Sequence, residues 1–153
     1  MSRYAENTSV PTEKSRAEIE RTLARYGCDA FMYGQSGGTA VVQFDAHDRR
    51  IRFNLPLPDP ADAAFTQTPT GRTRSDKQAR DAWEQACRQR WRALALAIKA
   101  KLEAVEAGIS DFEQEFMANV VLPGGQTVGD WMAPQIARAY TTGNMPPLLE
   151  GPR

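Results

Sequence analysis

Apolar residues recur along the chain with two different spacings, which predict helices and strands. The longest helical pattern covers residues 76–108, where apolar side chains follow each other in steps of three and four. Its apolar positions are Trp83, Cys87, Trp91, Leu94, Ile98, Leu102, Val105 and Ile109. Ser75 suits the N-cap and Gly108 suits the position after the last turn, so we predict one long central helix.

Three shorter segments, 29–34, 39–45 and 50–57, have strand character. In the third, Ile51, Phe53, Leu55 and Leu57 alternate with Arg50, Arg52 and Asn54. Turn residues separate the segments, with two glycines in the first turn. We therefore predict a three-stranded antiparallel meander, with one face on the helices and the other face in solvent.

Helical patterns also lie at both ends of the chain. Residues 12–26 form a first amphipathic helix, and Ser110 begins a capping box for a short helix. Thr127 is expected to cap a last helix that carries Val128, Trp131, Ile136 and Tyr140 and is bent or restarted at Pro134. The fold class is thus α+β: a three-stranded antiparallel meander packed against a long central helix, with N-terminal and C-terminal helices.

At 153 residues, the chain is one domain by size. Within this domain we expect a loose N-terminus at 1–10, a flexible linker at 58–74 and a tail at 141–153. The composition is that of a soluble protein without a membrane span or an apolar signal core, so we expect a cytoplasmic location and no membrane partner. Cys28 and Cys87 are expected to be reduced, and no metal or other cofactor is predicted.

Charge is unevenly distributed along a chain whose net charge is zero. Residues 71–101 hold nine basic and three acidic side chains, a net charge of +6, whereas residues 102–153 hold two and seven, a net charge of −5. This segregation favours an anionic partner. The alternative is that the acidic end folds back and neutralises the basic middle.

A cationic track is the candidate binding site. If the third strand, the basic loop end and the central helix bring their cations together, phosphates would be contacted by Arg50, Arg52, Arg72, Arg74, Arg88, Arg92 and Lys99. Phe31, Tyr33 or Gln43 would add stacking or polar contacts, as in single-stranded nucleic-acid binding. The alternative is that these are solvated side chains beside a buried seam.

No catalytic constellation emerges from the sequence. His47 is the one histidine, and a polar turn explains it better than base catalysis does. The aspartates at positions 45, 48, 59 and 62 have the chemistry to bind Mg²⁺ as in a nuclease, although turn roles explain them equally well.

Four segments carry a resemblance to a known family. Residues 4–27, 49–60, 88–109 and 121–132 (YAENTSVPTEKSRAEIERTLARYG, RRIRFNLPLPDP, RQRWRALALAIKAKLEAVEAGI and VLPGGQTVGDWM) resemble a family of small proteins encoded by bacteriophages and prophages. The resemblance implies a phage origin and the host cytoplasm, but no mechanism. The order of the elements is also similar to that of phage single-strand annealing proteins.

Three functions follow as hypotheses. The leading one is a non-enzymatic phage protein that binds nucleic acid, single-stranded or otherwise, in recombination or replication. The second is a protein-binding module that inhibits or redirects a host or defence protein through the acidic C-terminal third and exposed apolar residues of the tail at 141–153. The third is a small metal-dependent nuclease. A homo-oligomer through the central helix is a further expected partner arrangement.

Overall fold

The computed structural model describes residues 11–145, and these residues form five α-helices, a 3-10 turn and three strands. In chain order they are α1 (Thr12–Arg25), β1 (Asp29–Ser36), β2 (Thr39–Ala46), β3 (Arg49–Pro56), α2 (Ala63–Thr66), α3 (Asp76–Glu106), α4 (Phe112–Phe116), the 3-10 turn (Met117–Asn119) and α5 (Val128–Thr142). The predicted α+β class, with its meander, long central helix and terminal helices, is confirmed.

The sheet is an antiparallel meander in the order β1-β2-β3. Both hairpins turn on two residues with positive φ: Gly37 and Gly38 in the first, and His47 and Asp48 in the second. Such turns match the twist of the flanking strands, which explains the regular register between β2 and β3.

The core lies between one face of this sheet and the helices. Val42, Phe44 and Ile51 are fully buried on the sheet, and Ile98 and Leu102 of α3 belong to the same cluster. The predicted helical seam is therefore confirmed along most of α3. Ile109, the last predicted seam position, lies beyond the end of α3 and is 82% exposed, whereas Gly108 follows the C-cap residue Ala107 with positive φ, as predicted.

α3 begins where the sequence predicts. The Ser75 hydroxyl accepts from the Gln78 backbone N–H at 3.2 Å, and the Gln78 side chain accepts from the Ser75 N–H at 3.1 Å. This reciprocal capping box satisfies two amide groups that the helix itself leaves without partners.

Several boundaries differ from the prediction. Residues 58–74, predicted to be a linker, contain α2 and a β-bridge between Gln67 and Thr73. Asp111 caps α4, whereas the prediction placed the start of this capping box at Ser110. α5 continues through Pro134 as one helix to Thr142, so the tail begins later than predicted. The predicted loose segment 1–10 and the tail from residue 146 onwards lie outside the described residues.

Candidate interaction surfaces

The two strand arginines project from the open face of the sheet and already have partners. Arg50 donates to the Asp45 carboxylate through Nε at 3.0 Å and Nη2 at 3.3 Å. This hydrogen bond, and the attraction of the same carboxylate, raise the pKa of Arg50 above its usual value. Arg52 donates to the backbone oxygen of Gly125 at 2.7 Å. Both guanidiniums are therefore engaged in contacts within the chain.

The two loop arginines behave differently from each other. Arg74 donates through Nη1 to the backbone oxygen of Phe65 at 3.2 Å, next to the end of α2. It thus satisfies a carbonyl that the short helix leaves without a partner. Arg72 is exposed, and its side chain has no polar partner within residues 11–145. Of the predicted loop pair, Arg72 is the one available to a ligand.

The three cations of α3 that belong to the predicted track also differ in their contacts. Arg92 makes an ion pair with Glu18 of α1, in which both side chains are mostly buried. Arg88 donates to the Gln85 side chain at 2.7 Å, one turn away on the same helix. Lys99 is exposed and has no polar partner in the described part of the chain.

The sheet separates the strand arginines from α3. The side chains of Val42 and Phe53 face α3 and its core cluster, and the alternation along β3 directs Arg50 and Arg52 to the other face. The structure therefore does not bring the predicted cations onto one continuous track.

The aromatic residues predicted to stack with a ligand lie on the helix side of the sheet. Tyr33 pairs with Val42, whose side chain is buried, while Gln43 lies on the opposite face. The Arg16 guanidinium lies 4.7 Å from the Tyr33 ring and 5.6 Å from the Trp91 ring. Tyr33 thus packs against Arg16 of α1 and lies on the opposite face of the sheet from the strand arginines.

The aspartates proposed for a metal site have other roles. Asp59 and Asp62 accept hydrogen bonds from the backbone N–H groups of Ala61 and Ala64, at 2.9 and 2.8 Å. Asp45 holds Arg50. Across residues 11–145, no group of three or more His, Cys, Asp or Glu side chains is positioned to hold a metal ion.

His47 packs as a turn residue against the core. Its ring centroid lies 4.5 Å from that of the buried Phe112. Together with its positive φ, this contact explains the residue as part of the second hairpin.

The two cysteines are free thiols, as predicted. Burial, and to a smaller degree the charge of Asp29, raise the pKa of Cys28 from 9.0 to about 11. Burial also raises the pKa of Cys87. Both thiols are therefore protonated, and weak nucleophiles, at neutral pH.

α5 presents an apolar stripe that the described residues leave uncovered. The helix contains no fully buried residue. Ile136 is 50% and Tyr140 is 88% exposed, and the half-buried Met132 lies on the same stripe. The nearby Met117 is exposed as well.

α5 is held at its first turn. Its main neighbour among the described elements is the 3-10 turn. A Cβ on Gly129 would lie 3.0 Å from the Ala118 backbone oxygen, so the two backbones approach closely there. The sequence identified the stripe by its spacing, but it gave no sign that the stripe would remain unpacked.

The segment of the chain that carries this stripe is acidic. Residues 102–145 hold six acidic side chains and one basic side chain, Arg138, for a net charge of −5. Glu113 and Glu115 pair with Arg49 and Lys101, at 3.0 and 3.6 Å. Among the described residues, the acidic C-terminal third therefore pairs with basic side chains elsewhere in the chain through only a few contacts.

No protein-family model matches the chain, and neither a curated protein nor a solved structure shows significant similarity to it. The phage resemblance therefore stays a prediction. Within residues 11–145, every helix is too short or too polar to cross a lipid bilayer.

Proposed function

We propose that the protein is a protein-binding module, and that the apolar stripe of α5 docks on a basic amphipathic helix of its partner. The exposed side chains of Ile136 and Tyr140, on a helix without a buried residue, are the observation that carries this proposal. A soluble domain gains stability by covering such a stripe, and a partner helix is a common way to cover it.

The chemistry of the partner follows from the net charge of the segment that carries the stripe. Since the described part of the C-terminal third carries a net charge of −5, a partner with lysines or arginines beside its apolar face is attracted. An acidic helix of equal hydrophobicity is repelled. The inhibition or redirection of a host protein is the biological role that we propose for this binding.

A defined peptide pair tests the proposal. The full chain is titrated with a synthetic amphipathic helix of leucine and lysine, and with its leucine and glutamate counterpart, by fluorescence anisotropy. We expect binding of the lysine peptide and at least tenfold weaker binding of the glutamate peptide. Equal binding of the two would contradict the acidic surroundings as a determinant.

Two double variants locate the site. Ile136→Lys with Tyr140→Lys places charge on the stripe, and Ala137→Lys with Thr141→Lys places the same charge on an exposed face about 100° further around α5. Burial of one large apolar side chain contributes about 1.5–3 kcal/mol, so we expect the first variant to bind about 30-fold more weakly or worse. The second should retain most of the affinity. Equal losses would assign the effect to charge alone and contradict docking on the stripe.

Nucleic-acid binding is the second candidate, favoured by Arg72 and Lys99, the two cations of the predicted track that are exposed and have no polar partner among the described residues. A mobility-shift assay with single- and double-stranded DNA over a salt series measures it. Two phosphate contacts give a log–log salt slope of about −2 or shallower. Loss of that binding in Arg72→Ala with Lys99→Ala would support this candidate, and unchanged binding would count against it.

A further inference from the structure

One outer edge of the sheet is covered by another segment of the chain, and the other edge has no strand paired with it among the described residues. The outer edge of β3 is covered, because Ile51 forms a β-bridge with Val120 and the Val121 N–H donates to the Arg50 carbonyl at 2.8 Å. β1 pairs with β2 on one side, and on its other side no strand within residues 11–145 pairs with it. Seven of its eight residues are exposed.

β1 also lacks the features that usually protect an open edge. Residues 30–38 (AFMYGQSGG) contain no charged residue and no proline, which are the common means of preventing strand addition. The irregular register lies at one end, between Asp29 and Met32. From Met32 to Ser36 the strand is regular and able to accept a further strand.

The outward-facing backbone groups can be assigned from the first hairpin. Ser36 and Thr39 close its two-residue turn and so form a hydrogen-bonded pair. Because the pattern alternates, Gly34 and Met32 also face β2, and Tyr33 and Gln35 direct their N–H and C=O groups outward.

We propose that β1 of one copy pairs with β1 of a second copy in antiparallel orientation, around a two-fold axis near Gly34. This pairing sets Tyr33 of each copy opposite Gln35 of the other and joins the two sheets into one of six strands. A two-fold contact is self-complementary, so the same short strand supplies both sides.

A second copy fits this edge better than a charged peptide does. The paired segment is neutral, so two copies bring no like charges together, and the antiparallel offset keeps the two Asp29 side chains apart. Met32, 53% exposed on the open face, gains cover from the added strand. The contact is short, so we expect a reversible dimer that forms at high protein concentration.

Sedimentation of the full chain over a concentration series tests the dimer. We expect a species of twice the 17.0 kDa chain mass at high concentration. Gln35→Pro removes an outward N–H that β2 does not use, and it should raise the dissociation constant at least tenfold. Two lysine variants are then compared, Gln35→Lys in β1 and Asn54→Lys on the open face of β3. Only the first is expected to weaken the dimer. Equal dimerisation of these two lysine variants would overturn the proposal.

A cross-link tests the register. A Cβ on Gly34 meets nothing within 4 Å, so Gly34→Cys is accommodated, and across the proposed axis the two new thiols face each other. We expect a disulfide-linked dimer on mild oxidation, which the matched Asn54→Cys variant does not form. Absence of the link, with the dimer still present in sedimentation, would overturn pairing through β1.

Two alternatives to the pairing of β1 with a second copy would give different results in these experiments. A monomer at all concentrations, with slow amide exchange at Tyr33 and Gln35, would overturn self-pairing and point to residues 1–10 of the same chain. A dimer abolished by the Ile136→Lys and Tyr140→Lys pair would overturn it in favour of contact through α5. We expect that variant to dimerise normally, since the strand edge and the helix stripe are separate surfaces.

Discussion

The ion pair between Arg92 and Glu18 offers a quantitative test of whether Arg92 is structural. The two side chains are 24% and 29% exposed and join α3 to α1. Charges about 4 Å apart attract by about 4 kcal/mol at an effective dielectric constant near 20. Loss of hydration and of side-chain freedom offsets most of this attraction, so we expect a coupling free energy of about 1–2 kcal/mol.

A double-mutant cycle measures this coupling. The free energies of urea unfolding are determined for the parent chain, Glu18→Ala, Arg92→Ala and the double variant. A matched cycle with Glu18→Ala and Lys99→Ala should be additive, because Lys99 is exposed on the same helix and does not contact Glu18. Coupling below about 0.3 kcal/mol between Glu18 and Arg92 would refute the structural role and return Arg92 to the candidate ligand contacts.

Three further predictions follow from the core, the helix cap and the thiols. Ile98→Ala should lower the free energy of unfolding by about 2–5 kcal/mol in chemical denaturation, because Ile98 is fully buried, and a loss under about 1 kcal/mol would contradict its place in the core. Ser75→Ala should cost about 1 kcal/mol by the same assay, since it removes the capping box of α3, while Ser75→Asp should retain most of that stability. Since the pKa of Cys28 is raised to about 11, its thiolate population at pH 8 is roughly one hundredth of that of a thiol with a pKa of 9.0. Alkylation of Cys28 in the folded chain should therefore be slow at pH 8 and should accelerate as the pH rises toward 11. Rapid alkylation at pH 8 without unfolding would contradict this.

The same pKa shift has a consequence for stability. Between about pH 9 and pH 11 the folded chain binds more protons at Cys28 than the unfolded chain does, so the contribution of this group to stability falls as the pH rises. Below about pH 9 the thiol is protonated in both states and the contribution is constant.

Elements with a regular local pattern were predictable from the sequence. Alternation placed Ile51 and Phe53 on one face of β3, and the spacing of three and four residues placed Ile98 and Leu102 in the seam of α3. These assignments succeed because the periods of strands and helices are local properties that burial reinforces. The start of α3 was predictable for a similar reason, since the cap at Ser75 acts within a single turn.

The ion-pair and hydrogen-bond partners of the arginines could not be predicted, because these partners are distant in sequence. Arg92 pairs with a residue 74 positions away, and Arg52 donates to a carbonyl 73 positions away. A helical wheel gives the direction of Arg92 but not the acid that α1 places beside it. Likewise, the spacing in α5 revealed an apolar stripe, but whether Tyr140 would be covered depends on how the whole chain packs.

The docking surface can be located most directly by nuclear magnetic resonance on the full chain during titration with the leucine and lysine peptide. We expect the largest chemical-shift changes along the stripe of α5, at Met132, Ile136 and Tyr140. Changes centred instead on Arg72 and Lys99, or an unperturbed α5 in the presence of bound peptide, would contradict it.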